Sequence, residues 1–277
     1  MKDKISIIMG IYNCSEYLHE SINSILNQTY ENWELIMCDD GSTDDTYHVA
    51  QEYAQKYKTK IILLKNDKNM GLNYTLNKCL KEATGKFIAR QDGDDISLSN
   101  RLEKEYSFLH DNKEYDIVSS NMIYFDSNGE WGQSKMKNKP EKKDFINHSP
   151  FCHAACMVTK KAFDSVGGYT VDKKLLRVED YHLWIKMYAK GFKGYNLSDY
   201  LYKMRNDEKA LKRRTIKNRI NEINVKKIAF KELKLPKKEY YKVYIPIMKL
   251  LVPSCMYRII YRQKNKKRKI KSEIKEN

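Results

Sequence analysis

The sequence predicts an α/β fold with a mostly parallel central sheet, and three observations predict it. Short branched apolar runs recur along residues 5–125, helix-period patterns lie between them, and glycines or polar turns close the helices. Strands that alternate with helices are joined by crossovers, which make neighbouring strands parallel and cover both faces of the sheet. At 277 residues the chain can bury one sizeable core with a short appendage.

The elements follow in order. Ile5 to Met9 is the first branched run, and Glu16 to Asn27 carries Tyr17, Leu18, Ile22, Ile25 and Leu26 at helical spacing. A strand over Glu34 to Cys38, a helix over Asp44 to Tyr57 and a strand over Lys60 to Leu64 continue the alternation. A helix over Leu72 to Ala83, ended by Gly85, and a strand over Lys86 to Ala89 extend it. Asn100 to Asn112 reads as a further helix, and Asp116 to Phe125 as a strand closed by the turn Asp126-Ser-Asn-Gly129. From Trp131 to Pro150 the apolar pattern lapses into lysines and polar residues, which predicts a mobile surface loop of the kind that covers substrates. A strand over Ala154 to Thr159, a helix over Lys160 to Val166 and the Gly167-Gly168 turn follow. A helix over Asp180 to Lys190 and sheet-like segments over Phe192 to Leu197 and Tyr200 to Met204 complete a domain of residues 1–205.

The net charge of +16 is unevenly placed. Residues 1–202 hold 27 Lys and Arg against 29 Asp and Glu, whereas residues 203–277 hold 25 against 7. The front is therefore an ordinary, slightly acidic domain, and residues 206–277 form a basic helical extension. Pro236 separates a first helix, Lys209 to Leu233, from a terminal one. Val243 to Ile260 is apolar and tyrosine-rich, but Pro246, Lys249, Pro253 and Arg258 interrupt it, so it does not read as a bilayer span. Beside the basic run Arg262 to Lys271 it reads as a segment lying on an anionic membrane face. The plainer alternative is a solvated charged tail with a helix packed on the domain. No helix-turn-helix or RNA-reading aromatic motif accompanies the charge, so no specific nucleic acid is expected.

The six cysteines form no CxxC pair and lie mostly in apolar patterns, which fits free thiols in a reducing cytoplasm. The apolar run after Met1-Lys2-Asp3-Lys4 is too short for a signal-peptide core. Cys152 and Cys156, near His148 and His153, match no common structural zinc spacing.

In open α/β sheets ligands bind at the carboxyl ends of the strands. Tyr12 and Asn13 follow the first strand, Asp39-Asp40-Gly41-Ser42 the second, and Gln91-Asp92-Gly93-Asp94-Asp95 the fourth. Where a dinucleotide-binding fingerprint would stand the chain reads Gly10-Ile-Tyr-Asn-Cys-Ser15, and a P-loop is absent too. A nucleotide diphosphate in this crevice would need a cation held by hard oxygens, which Asp92, Asp94 and Asp95 can supply. Three carboxylates in four residues repel one another unless compensated, although acidic turns also cap helices.

Several runs carry a family resemblance. Ser6-Ile-Ile-Met-Gly-Ile-Tyr-Asn13, Ser24-Ile-Leu-Asn-Gln-Thr-Tyr30 and Trp33-Glu-Leu-Ile-Met-Cys-Asp-Asp-Gly-Ser-Thr-Asp-Asp-Thr46 resemble the opening of family 2 glycosyltransferases. Ala89-Arg-Gln-Asp-Gly-Asp-Asp95 resembles that family's D-x-D region and Val178-Glu-Asp-Tyr-His-Leu-Trp184 its E-D catalytic helix. With Pro150-Phe-Cys-His153 the details look closest to exopolysaccharide-cluster enzymes of the EpsE type.

The resemblance implies a GT-A type, single Rossmann-like domain and a nucleotide-sugar donor, with UDP favoured. It places Tyr12, Asp39, Asp40, Arg90 and Asp92 on the donor, with Tyr12 and Asp40 on the base and Asp40 accepting from the base edge, and Mg²⁺ or Mn²⁺ on Asp94 and Asp95. It makes Asp180 the general base with Glu179 as its rival, and sets His153 near the acceptor or lid, a lone strand-end histidine otherwise being structural. Displacement at an anomeric carbon needs a stabilised leaving group on one face and a deprotonated hydroxyl on the other, and one such displacement inverts configuration. Gly10 and Ser99 stand where the family commonly has proline, and the Q-x-x-R-W element of processive members is absent, which favours transfer of a single sugar. The expected acceptor is lipid-linked or saccharide, in cell-surface polysaccharide synthesis at the inner face of the cell membrane. Removal of the chain after about Asn206 is expected to spare donor binding. The competing reading is a non-enzymatic protein that binds through its basic tail.

Overall fold

The computed structural model describes residues 2–206 and 215–248, with residues 250, 256, 259–266 and 268. Ile5–Ile11 (β1), Ser15–Leu26 (α1), Trp33–Asp39 (β2), Thr46–Lys56 (α2), Ile61–Lys65 (β3), Leu72–Glu82 (α3) and Phe87–Arg90 (β4) alternate as the patterning predicts. Ile96–Ser97 (β5), Arg101–Asp111 (α4), Ile117–Asp126 (β6), Gly129–Gln133 (β7), Cys156–Thr159 (β8), Lys160–Val166 (α5), Glu179–Ala189 (α6), Gly194–Arg205 (β9) and Ile216–Glu232 (α7) follow.

One sheet runs in the order β3-β2-β1-β4-β8-β6-β9-β5, with β7 paired to β6. The half β3-β2-β1-β4 is wholly parallel because a helix carries the chain from each of its strands to the next. Beyond β4 the sheet is mixed: β8 is antiparallel to both β4 and β6, and β9 is parallel to β6. The parallel register sets Ile11 opposite Asp39 and Ile8 opposite Arg90, so the carboxyl ends of β1, β2 and β4 open on the same side of the molecule.

Alternate residues of the strands feed two cores. Ile7, Met9, Leu35, Met37, Phe87 and Ala89 pack with Leu18 and Ile22 of α1 and Leu102 and Leu109 of α4. Ile8, Ile36, Cys38 and Ile88 face the other way, onto Leu76 and Cys79 of α3, in a core that continues through Trp184 of α6. That second core takes in Ile223, Val225, Ala229 and Phe230 of α7, so the start of the extension is built into the domain.

Three expectations change. Residues 131–150, read as a surface loop, carry regular structure and buried contacts. Trp131 lies in β7, and Lys142–Ile146 forms a 3₁₀ turn, closed by a Glu141–Asp144 capping box, that buries Phe145 and Ile146. Tyr181 donates to the Phe145 carbonyl and Tyr188 to that of Pro140 (3.0 Å), tying the segment to α6. The segments 192–197 and 200–204 belong to one strand, β9, whose pairing with β6 shifts register near Asn121.

Described parts of the basic end pack on the domain. Arg262 bonds Asp126 (2.5 Å) and lies over Trp131, and buried Asn265 sits against Gly132. Pro236 is followed by a 3₁₀ run, Lys237–Tyr244, and the short helix Ile245–Met248. Residues 207–214 of the expected first helix lie outside the described residues, as does most of the expected terminal one (249, 251–255, 257–258, 267 and 269–277). No helix among the described residues is long and apolar enough to cross a membrane.

Candidate active site

The ends of β1 and β2 are stitched together. Asn13, in the left-handed region (φ 47°), donates its backbone N–H to Ser42 Oγ (3.1 Å), and its Oδ1 accepts from Thr43 N (2.9 Å). Gly41 (φ 73°) passes so close to Lys68 that a Cβ would sit 2.7 Å from its backbone carbon, so only glycine fits the turn after the two aspartates.

Those aspartates have different environments. Asp40, expected to accept from the base edge, instead accepts from Asn66 Nδ2 (2.8 Å), Met70 N (2.8 Å) and Gly71 N (2.9 Å), committing both oxygens to the loop between β3 and α3. Asp39 is fully buried; its Oδ2 accepts from Ser42 N (3.2 Å), and its Oδ1 has no partner among the described residues. A buried acceptor without a donor is costly, and a ligand N–H would relieve it. Tyr12 stands half exposed at the same end of β1.

At the end of β4, Asp92, Asp94 and Asp95 bring carboxylate oxygens within 4.8 Å of one another, the only such group of three or more metal-ligand side chains among the described residues. Arg90 holds Asp92 with both terminal nitrogens, one bond measuring 3.0 Å. Asp95 is buried, and burial together with the charges of Asp92 and Asp94 pushes its carboxyl well above the usual range. A divalent cation would reverse that penalty, and the hard oxygen set suits Mg²⁺ or Mn²⁺.

Asp180 opens α6. Its Oδ2 accepts from Ser149 Oγ (3.0 Å), while burial raises its pKa and the Arg90 charge opposes the rise. Glu179 is raised by burial and by Asp180, and its Oε2 is buried with no partner among the described residues. Arg90 therefore acts on Asp92, Asp180 and Glu179 at once, which puts the acidic cluster and the E-D pair in one neighbourhood. His153 contacts Tyr169 Oη (2.8 Å) and packs edge-on to Trp184; burial and the Arg90 charge keep its imidazole neutral.

Sequence reading missed the frame around the cluster. Tyr202 Oη accepts from Asp92 N (3.1 Å), and Arg205 donates its N–H to Asp95 Oδ1 (2.7 Å) and its Nε to the Asp94 carbonyl (3.1 Å), so β9 fixes the acidic loop. Arg101 and Glu105, fully buried on α4, pair at 3.2 Å, and Arg101 donates to the Arg90 carbonyl (2.9 Å) and Ser97 Oγ (2.9 Å). Burial pushes Glu105 up to about 7. Their i, i+4 spacing was visible; their burial was not.

An α/β sheet with an acidic cluster at its strand ends and a carboxylate pair on an adjoining helix is the frame of a glycosyltransferase. Residues 6–167 match the sequence profile of Glycosyl transferase family 2, and the chain belongs to that family. It is 42% identical over 253 residues to the glycosyltransferase EpsE of Bacillus subtilis (strain 168), covering 91% of each chain. It is 34% identical over 229 residues to the UDP-Gal:alpha-D-GlcNAc-diphosphoundecaprenol beta-1,3-galactosyltransferase of Escherichia coli, covering 79% of this chain and 81% of that one. Two solved structures share the fold. S. aureus TarS 1–349 in complex with UDP aligns with a TM-score of 0.67 at 20% identity, over 87% of this chain and 69% of that one. Mannosyltransferase PcManGT from Pyrobaculum calidifontis, in complex with GDP-Man and Mn²⁺, aligns with a TM-score of 0.64 at 16% identity, over 94% and 79%.

Proposed function

We propose that this glycosyltransferase moves one sugar, with inversion, from a UDP-sugar to a lipid-linked saccharide acceptor in the assembly of a cell-surface polysaccharide. The observation that carries the donor half is the approach of the Asp92, Asp94 and Asp95 oxygens at the end of β4, together with the buried Oδ1 of Asp39 at the end of β2, which has no partner among the described residues. Asp39 accepts from the base edge, Tyr12 covers the base, and Asp40 shapes the loop beneath it. Asp94 and Asp95 hold Mg²⁺ or Mn²⁺, which when bound neutralises charge on the departing diphosphate. Asp180, aligned by Ser149, takes the proton from the acceptor hydroxyl, while Glu179 and Arg90 set its charge environment. UDP in TarS, Mn²⁺ in PcManGT and the diphosphoundecaprenol acceptor in the name of the E. coli relative support these assignments.

The basic extension supports a place at the inner, anionic face of the cell membrane. Lys227, Lys231, Lys234 and Lys237 rim a cleft of about 720 Å³ floored by Phe230 and Leu235, and Tyr241, Ile247 and Met248 are exposed nearby. The donor is tested by thermal-shift measurement of nucleotide sugars with Mn²⁺, since a ligand bound to the native state raises its melting temperature. A UDP-sugar should stabilise the protein more than its GDP or ADP counterparts.

A further inference from the structure

We propose that the cleft between the start of α6 and α7 is a port for the acceptor's prenyl diphosphate, with Arg177 and Arg219 on the phosphates and Leu176, Ile216 and Ile220 along the hydrocarbon chain. The inference rests on the transfer reaction proposed above and assigns the part of the protein that meets the acceptor's lipid end. The cleft encloses about 390 Å³, and Asp180 and Ser149 form part of its wall. A molecule held there has one end beside the base.

The cationic side of the cleft is available for a ligand. Arg177 is exposed in the cleft wall, where its charge also acts on Glu179. Arg219 holds Glu222 through Nη1 (2.6 Å), and its buried Nε has no partner among the described residues. Arg177 also keeps a left-handed backbone (φ 69°), a conformation that non-glycine residues retain only when their surroundings impose it. Here α7 imposes it: Asn221 Nδ2 donates to the carbonyls of Leu176 (3.0 Å) and Lys173 (3.4 Å), pinning the corner from the extension.

The apolar side lies next to the arginines. Ile216, Arg219 and Ile220 share a face of α7, and Ile216 and Ile220 are 68% and 50% exposed, with Leu176 at 42%. Arginine forks match phosphate oxygens bidentately, and an exposed branched strip beside them suits an isoprenoid chain. An acceptor with a diphosphate between sugar and prenyl chain matches this order: sugar at Asp180, phosphates at the arginines, chain along the isoleucines.

The test titrates the full chain, saturated with UDP at a fixed free Mn²⁺ concentration, with farnesyl diphosphate, inorganic pyrophosphate or farnesol by calorimetry. Farnesyl diphosphate should bind more tightly than either fragment. Arg177→Gly, which relaxes the left-handed backbone and so does not endanger the fold, should weaken it at least about tenfold with UDP affinity unchanged. Arg177→Lys, which keeps the charge but not the fork, should fall between the two. Ile216→Ser with Ile220→Ser should weaken farnesyl diphosphate and leave pyrophosphate unaltered. Unaltered farnesyl diphosphate binding by Arg177→Gly overturns the port, and pyrophosphate binding as tightly as farnesyl diphosphate overturns its lipid half. Farnesyl diphosphate binding that is lost in Arg177→Gly, in a protein that fails to bind UDP, supports the port and counts against the donor site alone.

Discussion

Asp39 and Asp40 are adjacent at the end of β2, yet Asp40 commits both oxygens to Asn66, Met70 and Gly71 while Asp39 keeps a buried Oδ1 with no partner among the described residues. One holds the loop and the other waits for a ligand. Asp39→Asn should therefore weaken UDP binding by about tenfold or more while changing the melting temperature little, an effect of about 1.4 kcal/mol or more on binding. Asp40→Ala should destabilise the fold by about 1–3 kcal/mol, because it strands the donors that now meet its carboxylate. Urea unfolding and UDP titration of both variants separate these effects, and a reversed pattern would exchange the two roles.

The environment of Asp180 makes a prediction about pH. Burial raises its carboxyl above the ordinary value near 4, so the base loses its charge as pH falls through that raised value and transfer declines with it. The acid limb of the kcat/KM profile should lie above the ordinary carboxylate range. Ser149→Ala removes a hydrogen bond that favours the charged form, so it should move that limb further upward. Asp180→Asn should bind UDP normally and lose roughly 10²–10⁴-fold in transfer. Retained transfer would assign the base elsewhere, with Glu179 the first place to look.

The Arg101–Glu105 pair beneath Arg90 sets a test of the frame. Removing Arg101 alone leaves Glu105 buried without its partner and should destabilise the protein by about 3–5 kcal/mol. The paired change Arg101→Met with Glu105→Leu should cost much less, since no charge is then stranded. Comparable losses in urea unfolding for the single and paired variants would show that the pair contributes chiefly through shape.

The reach of α7 into the core alters the expectation for a shortened chain. A protein ending near Asn206 would expose the surface that Ile223, Val225, Ala229 and Phe230 now cover beside Trp184. It should be poorly soluble or unfold at a clearly lower temperature, instead of binding donor normally. A chain ending near Leu235 keeps α7 and should bind UDP as the full chain does. Equal stability of the two would contradict the shared core.

Periodicity made the front half legible: the runs ending at Ile11, Asp39 and Arg90 each alternate between two cores, and their ends coincide with the acidic residues singled out beforehand. The stretch from Trp131 to Pro150 was not legible, because its only apolar marks are isolated. Phe145 and Ile146 are buried by bonds from Tyr181 and Tyr188, more than thirty residues onward. The roles of Tyr202 and Arg205 were hidden for the same reason, since β9 reaches the Asp92–Asp95 loop only through the folded sheet. Asp39 and Asp40 read alike as a dipeptide, and only their different bonding partners distinguish them.

Calorimetric titration of UDP into the full chain with Mn²⁺, with EDTA, and with Mn²⁺ in the Asp94→Asn variant tests the donor site most directly. The expected result is saturable one-site binding with Mn²⁺, weakened at least about tenfold by EDTA, restored by excess Mn²⁺, and weakened to a similar degree in Asp94→Asn. Equal UDP affinity under all of these conditions would contradict a metal-held diphosphate at Asp94 and Asp95.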